Sequence, residues 1–210
     1  MGSSLNCRAT RELSLENMPP IVLASTSPYR RELLQRLRLP FSVQAPRVDE
    51  QPLPGESPRV TARRLALAKA RAVALGQPAA IVIGSDQVAD VDGEALSKPG
   101  THDAALAQLT RMQGREVVFH TALAVIGPGG EEQVDDVPTA VRFRTLPPAQ
   151  LDAYLRLEQP YDCAGAAKIE SLGIALLESV RSDDPTALIG LPLIRLTSML
   201  AVCGVRLPAP

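Results

Sequence analysis

Residues 81–88 read IVIGSDQV, an apolar run that leads straight into Gly84-Ser85-Asp86-Gln87. A carboxylate at the end of a buried strand stands over the rim of a cleft. Aspartate has an ordinary pKa of about 4 and is ionised at neutral pH. It can hold a divalent cation or steer a water for attack. The same residues equally suit an aspartate that opens a turn. A second stretch, ASTSPYRRELLQRL at 24–37, gathers Ser25, Ser27 and Arg30 where a strand gives way to a helix. The start of a helix is partly positive because its first N–H groups are unpaired. Arg30 stands where a capping box would want Glu or Gln, which is unfavourable unless an anion arrives. Hydroxyls, free amides and a guanidinium together make a phosphate cradle. A plain capped helix with two solvated arginines would read the same. Lys69, Lys98 and the pair Asp49-Glu50 are further candidates, each also readable as a surface charge.

Other chemistries lack support. GxxxxGK[ST] and GxGxxG are absent, and Gly127-Pro128-Gly129-Gly130 reads as a hairpin turn rather than a nucleotide loop. No G-x-S-x-G elbow supports a serine triad. His102 and His120 fall in different elements, which argues against a histidine metal site. Hydrolysis here would have to use metal and carboxylate chemistry.

These residues need a scaffold. Ile21–Ala24 reads as a short buried strand. Ser27-Pro28 and Ser57-Pro58 each combine an N-cap with proline at the first helical position. The second opens a helix to about Leu75, with an expected apolar stripe of Leu65, Ala68, Ala72 and Leu75 and with Lys69 at its border. Phe41–Ala45 and Ala80–Ile83 are expected strands, and residues 46–57 a proline-rich acidic loop. A hairpin turns at Asp92-Gly93. Thr101 caps a helix through Met112, a longer hairpin follows, and 148–157 is helical. KIESLGIALLESV suggests two short strands or one strand with a glycine break. LPLIRLTSMLAVCG is the closing helix. Helices alternating with strands, followed by a broad hairpin, predict an α/β fold with a mixed sheet flanked by helices. No repeat or linker divides the chain. Residues 18–210 are expected to form one domain, and residues 1–17 a loose N-terminal extension.

Composition narrows the partners. The net charge is −1 and aromatic residues make up 3%, with no Trp. Neither a basic field nor stacking platforms are available for nucleic acid. No run of about 18 apolar residues exists to span a membrane. Three cysteines without CxxC spacing suggest buried thiols in a reducing cytosol, hence a cytoplasmic protein.

LASTSPYRRELL, VDE at 48–50, KA at 69–70, IGSDQ at 83–87, SKP at 97–99, CAGAAKIESLG at 163–173 and IGLPL at 189–193 occur in this order. Each is weak alone; together they resemble the Maf family of nucleotide pyrophosphatases over residues 20 to about 204. The resemblance implies two lobes with a cleft, similar to inosine triphosphate pyrophosphatases. It implies hydrolysis of a nucleoside triphosphate between the α and β phosphates, a divalent cation (Mg²⁺ or Mn²⁺) and often a homodimer. Asp86 matches the proton acceptor for the attacking water. Ser25, Arg30, Lys69 and Lys98 match residues around the phosphates, and Glu50 the acid that helps metal or water, with Asp86 also at the metal. Ala68 departs from the family, which commonly has Glu there.

Tyr29, Gln87 and Glu170 resemble the 7-methyl-GTP branch rather than the dTTP/UTP branch, which tends to have Arg, Thr and Gln at these places. A tyrosine face attracts a cationic base, and a carboxylate accepts from the guanine N1–H and 2-amino groups. Two rival expectations remain: a dTTP/UTP pyrophosphatase, and a nucleotide-binding regulator of cell division that does not turn over its ligand.

Overall fold

The computed structural model describes residues 18–96 and 98–208. The expected loose extension at 1–17, with Cys7, lies outside them. Strand β1 (Ile21–Ala24) leads to helix α1 (Pro28–Gln35), β2 (Ser42–Gln44) and α2 (Pro58–Ala74). Then come β3 (Ile81–Val91), β4 (Glu94–Leu96), α3 (His102–Met112), β5 (Glu116–Ile126) and β6 (Glu132–Phe143). Helix α4 (Pro148–Glu158), two 3₁₀ turns (Ala164–Ala166 and Leu172–Leu176), β7 (Leu177–Ser182) and α5 (Leu193–Val202) complete the chain. Among the described residues the strands form one mixed sheet in the order β2-β1-β3-β5-β6-β7, with β4 paired to β3.

Local chemistry sets most of these boundaries. Ser27, Ser57 and Thr101 each accept a hydrogen bond from the backbone N–H three residues on, which satisfies an otherwise orphaned donor. Asp92 and Gly93 both have positive φ, as a tight β3–β4 hairpin demands.

Three expectations change. Strand β3 does not end at Ile83 but runs to Val91, so Asp86 stands in mid-strand. Strand β5 pairs with it from Val82 through Asp90 and carries it past the polar residues. The buried stripe of α2 is Ala62, Leu65, Ala66, Lys69, Ala70 and Val73, whereas Leu75 is 89% exposed. The helix turns its smallest residues to the sheet, and Lys69 is buried because it finds a carboxylate there. Finally, KIESLGIALLESV forms a 3₁₀ turn before β7 rather than two strands. Gly173 folds back onto the backbone of Lys168, whose carbonyl accepts its N–H, and leaves no room for a β-carbon.

Strand alternation divides the core. Val22, Ala24, Val82, Ala122 and Ala124 pack under α2. On the opposite face, Ile21, Leu23, Ile81, Ile83, Leu123 and Val125 meet Leu33 and Leu34 of α1 and Leu196 and Leu200 of α5. Further along that face, Ala89, Val91, Val117 and Phe119 meet α3 and α4. These two clusters are the cores of two lobes on one sheet. Ser85, Gln87 and Thr121 lie between them, and polar residues there keep the clusters apart.

The sheet is also interrupted at its edge. On the side away from β5, β3 pairs with β1 only at residues 81–84 and with β4 only at 89–91. Residues Ser85–Val88 therefore border a notch between two strand ends. The chain leaves β1 toward α1 at one lip of the notch and leaves β4 toward Lys98 at the other.

Gly84 lets α2 approach the sheet closely. A β-carbon there would run into the Ala66 carbonyl oxygen and lie 2.8 Å from the Ala70 amide nitrogen. Gly84→Ala is expected to lower stability by roughly 1–3 kcal/mol through overpacking. Urea unfolding measures this as a lower midpoint; an unchanged midpoint would contradict so tight a contact.

Candidate active site

The notch opens into a cleft of about 560 Å³. Nine residues singled out from the sequence line it: Ser25, Tyr29, Arg30, Glu50, Lys69, Asp86, Gln87, Lys98 and Glu170. They come from six separate parts of the chain. Because the notch cuts through the sheet, residues on both faces of β3 reach it, Asp86 from the α2 side and Gln87 from the other.

The acidic side is organised by one ammonium group. Lys69 Nζ lies 2.6 Å from Asp86 Oδ1 and 3.1 Å from Glu50 Oε1. Lys69 and Asp86 are buried, whereas the Glu50 side chain is 54% exposed. A buried charge is tolerated only when paired, and this pair satisfies both members. Lys69 still has a third N–H to offer. Asp86 Oδ2 has no hydrogen-bond partner among the described residues.

Arg30 supplies the opposing charge. Its Nε donates to the Gly190 carbonyl at 2.9 Å. Its terminal Nη groups have no hydrogen-bond partner among the described residues. Burial pulls the guanidinium below its ordinary pKa, and the charges of Asp86 and Glu50 act against that; arginine remains a cation. Ser25, buried at the end of β1, accepts from the Ser27 N–H at 3.1 Å. Lys98 stands exposed at the far lip.

The other wall carries Gln87, Glu170 and Tyr29. Gln87 Nε2 faces three acceptors: Thr121 Oγ1 at 2.9 Å, the Leu188 carbonyl at 3.0 Å and the Ala187 carbonyl at 3.2 Å. Thr121 spends its own proton on the Ala187 carbonyl, so toward Gln87 it only accepts. This fixes the amide with its nitrogen inward, and Oε1 is left as an acceptor without a partner among the described residues. The carboxyl of Glu170 is raised above its usual range, chiefly by removal from water and further by Glu158 and Glu32, with Lys168 opposing. Lys168 Nζ sits 5.8 Å from the centre of the Tyr29 ring and 3.3 Å from Glu158 Oε1. The aromatic ring expected to attract a cationic base therefore already holds a cation on one side. Cys163 also lines the cleft, but burial pushes its thiol up to about 12, and it is no nucleophile at neutral pH.

The sequence reading missed the segment that holds these groups in place. Asp184, buried, accepts from the N–H groups of Thr186, Ile194 and Arg195 and from the Thr186 hydroxyl. It anchors residues 184–192 to the start of α5. Main-chain carbonyls of that segment then hold Ser85 and Arg30 (both on Gly190), Gln87 and Thr121. Carbonyl groups leave no signature in residue identities. The motif IGLPL marked the place without showing what it does.

No helix among the described residues is long and apolar enough to cross a membrane. The Maf-like protein family matches residues 20–203. A 7-methyl-GTP pyrophosphatase from Polaromonas sp. is 59% identical over 99% of this chain and 96% of its own length. A second, from Paraburkholderia xenovorans, is 62% identical over 91% of this chain and 95% of its own. Among solved structures, a nucleoside-triphosphatase / dITP/XTP pyrophosphatase from Mycobacterium abscessus overlaps 61% of this chain and 76% of its own, with 22% identity and a TM-score of 0.41. The family match spans the whole cleft-forming part of the chain, from the strand that ends at Ser25 to the helix anchored by Asp184, and the chain belongs to the Maf-like protein family.

Proposed function

We propose that the protein hydrolyses 7-methyl-GTP at its α–β phosphoanhydride, giving 7-methyl-GMP and pyrophosphate and so clearing a modified nucleotide from the cytoplasmic pool. One observation carries this reading. Fixed cations and carboxylates line the cleft together, and among the described residues Asp86 Oδ2 on one wall and Gln87 Oε1 on the other have no hydrogen-bond partner. Relatives named 7-methyl-GTP pyrophosphatase at about 60% identity support it.

A polyphosphate gains negative charge on the leaving pyrophosphate, and positive groups fixed beforehand stabilise that charge best. The Arg30 Nη groups, the third N–H of Lys69, Lys98 and the Ser25 hydroxyl bind the tail. Asp86 orients the attacking water and takes its proton on Oδ2, since Oδ1 is engaged by Lys69. A divalent cation, Mg²⁺ or Mn²⁺, would supply further neutralisation of phosphate charge. Among the described residues no group of three or more His, Cys, Asp or Glu side chains is placed to hold a metal ion. The oxygen donors of Glu50 and Asp86 suit a hard cation whose remaining ligands are phosphate oxygens and water. Ala68 leaves no third carboxylate on this side of α2. The homodimer expected from the family is part of this reading, and light scattering in solution measures it.

At the other wall, Gln87 Oε1 and the Glu170 carboxylate offer acceptors to the N1–H and 2-amino donors of guanine. A site built on acceptors discriminates strongly against a base without matching donors, because its polar groups are then left unpaired. A pyrimidine lacks that pair of donors. The methylated base is cationic, and the negative wall favours it.

Asp86→Asn is expected to lower kcat by about 10²–10⁴-fold while the circular dichroism spectrum stays native. Near-normal turnover would remove Asp86 as the proton acceptor. Glu170→Gln is expected to shrink the kcat/KM ratio of 7-methyl-GTP over dTTP and UTP, and an unchanged ratio takes Glu170 out of the base site. Binding of nucleotides without pyrophosphate release from any of them would favour the regulator instead.

A further inference from the structure

Glu50 is delivered to Lys69 by a loop that cannot hold itself. Residues 46–57 contain Pro46, Pro52 and Pro54, which lack N–H donors, and include no helix or strand. Among the described residues, the one main-chain bond with both partners inside the loop is Glu56 N–H to the Leu53 carbonyl. What fastens the loop is Arg64, in the second turn of α2. Its Nε donates to Glu56 Oε1 at 2.6 Å and its Nη2 to Glu56 Oε2 at 2.8 Å. The same Nη2 donates to the Gln51 carbonyl at 3.0 Å, on the residue next to Glu50. Glu56 Oε2 also accepts from the Leu53 N–H at 3.1 Å and the Thr61 hydroxyl at 3.0 Å. The Glu56 side chain is 7% exposed and that of Arg64 29%, so the pair is sheltered rather than solvated. Arg64 does not line the cleft.

We propose that Arg64, acting through Glu56 and the Gln51 carbonyl, is a positioning residue that sets where Glu50 stands relative to Lys69 and Asp86. A planar fork can grip a carboxylate with two N–H groups and still reach a carbonyl; lysine cannot. The Arg64 hydrogen bonds hold the Glu56 carboxyl down to about 2, so the clamp is charged at neutral pH. Without it, Glu50 keeps its charge but loses its place, and a misplacement of about 1 Å costs on the order of 10²-fold in rate. This inference rests on the reading of Glu50 as an acid of the active site.

The test is a double-mutant cycle in the full chain with 7-methyl-GTP: Glu50→Gln, Arg64→Ala and both together, with kcat and KM measured separately. Each single change is expected to lower kcat by about 10- to 100-fold with little change in KM. The double variant is expected to be no worse than the poorer single. Independent effects that multiply in the double variant, or full kcat in Arg64→Ala, overturn the proposal while leaving Glu50 in the site. Full kcat in Glu50→Gln overturns the reading of Glu50, and the proposal with it. If Arg64→Ala does not fold, Arg64→Lys replaces it in the cycle. It keeps the charge and loses the fork, so a kcat equal to that of the unaltered protein contradicts the proposal and a coupled loss supports it.

Discussion

The site exists because one strand is left half-partnered for four residues. Strand β3 is paired along its β5 side from Val82 to Asp90, but its other edge meets only the short ends of β1 and β4. An exposed strand edge in mid-sheet is ordinarily a liability, open to pairing with another chain. Here the gap is confined between two loops that turn away from it, toward α1 and toward Lys98. It opens into the cleft rather than offering an edge to another strand. Side chains from both faces of β3 reach the same space, which an unbroken sheet would forbid.

That geometry sorts the charges. The α2 face brings Asp86 under Lys69, and the loop before α2 lays Glu50 over it. The opposite face brings Ser85 and Gln87 against residues 184–192, which also hold Arg30. Lys69 pairs directly with the two carboxylates, while Arg30 is held apart from them on the Gly190 carbonyl. Under the proposed reaction the arrangement is preorganised for an anionic transition state. The groups are already fixed, and little rearrangement is required when charge develops. Gly84 and the alanines of α2 keep Lys69 near enough to serve, and Asp184 keeps the carbonyl-bearing segment still.

Much of this was legible in the residues because it depends on local rules. Ser27-Pro28 and Ser57-Pro58 declared two helix starts, Asp92-Gly93 a tight hairpin, and the ordered motifs the family. Ser25 and Arg30 were legible for the same reason, as polar and charged types where a strand gives way to a helix, and Tyr29, Gln87 and Glu170 only through the family motifs. The mid-strand position of Asp86 was not, because it follows from which strands pair beside it. Nor was the buried stripe of α2, where a lysine sits in place of an apolar residue once a carboxylate answers it. Lys168 over Tyr29 lies where Gly173 folds back onto the Lys168 backbone, a contact that residue types do not announce. The loop clamp of Glu56 and Arg64 joins residues eight apart across a helix start, a spacing with no periodic signature.

A structure of the protein with 7-methyl-GTP made nonhydrolysable at the α–β bridge measures the central claim directly. The account requires the triphosphate to lie in the notch, within hydrogen-bond reach of Ser25, Arg30, Lys69 and Lys98, with the methylated base against Tyr29, Gln87 and Glu170. A tail lodged outside the gap between β1 and β4, or a base turned away from Gln87 and Glu170, would contradict it.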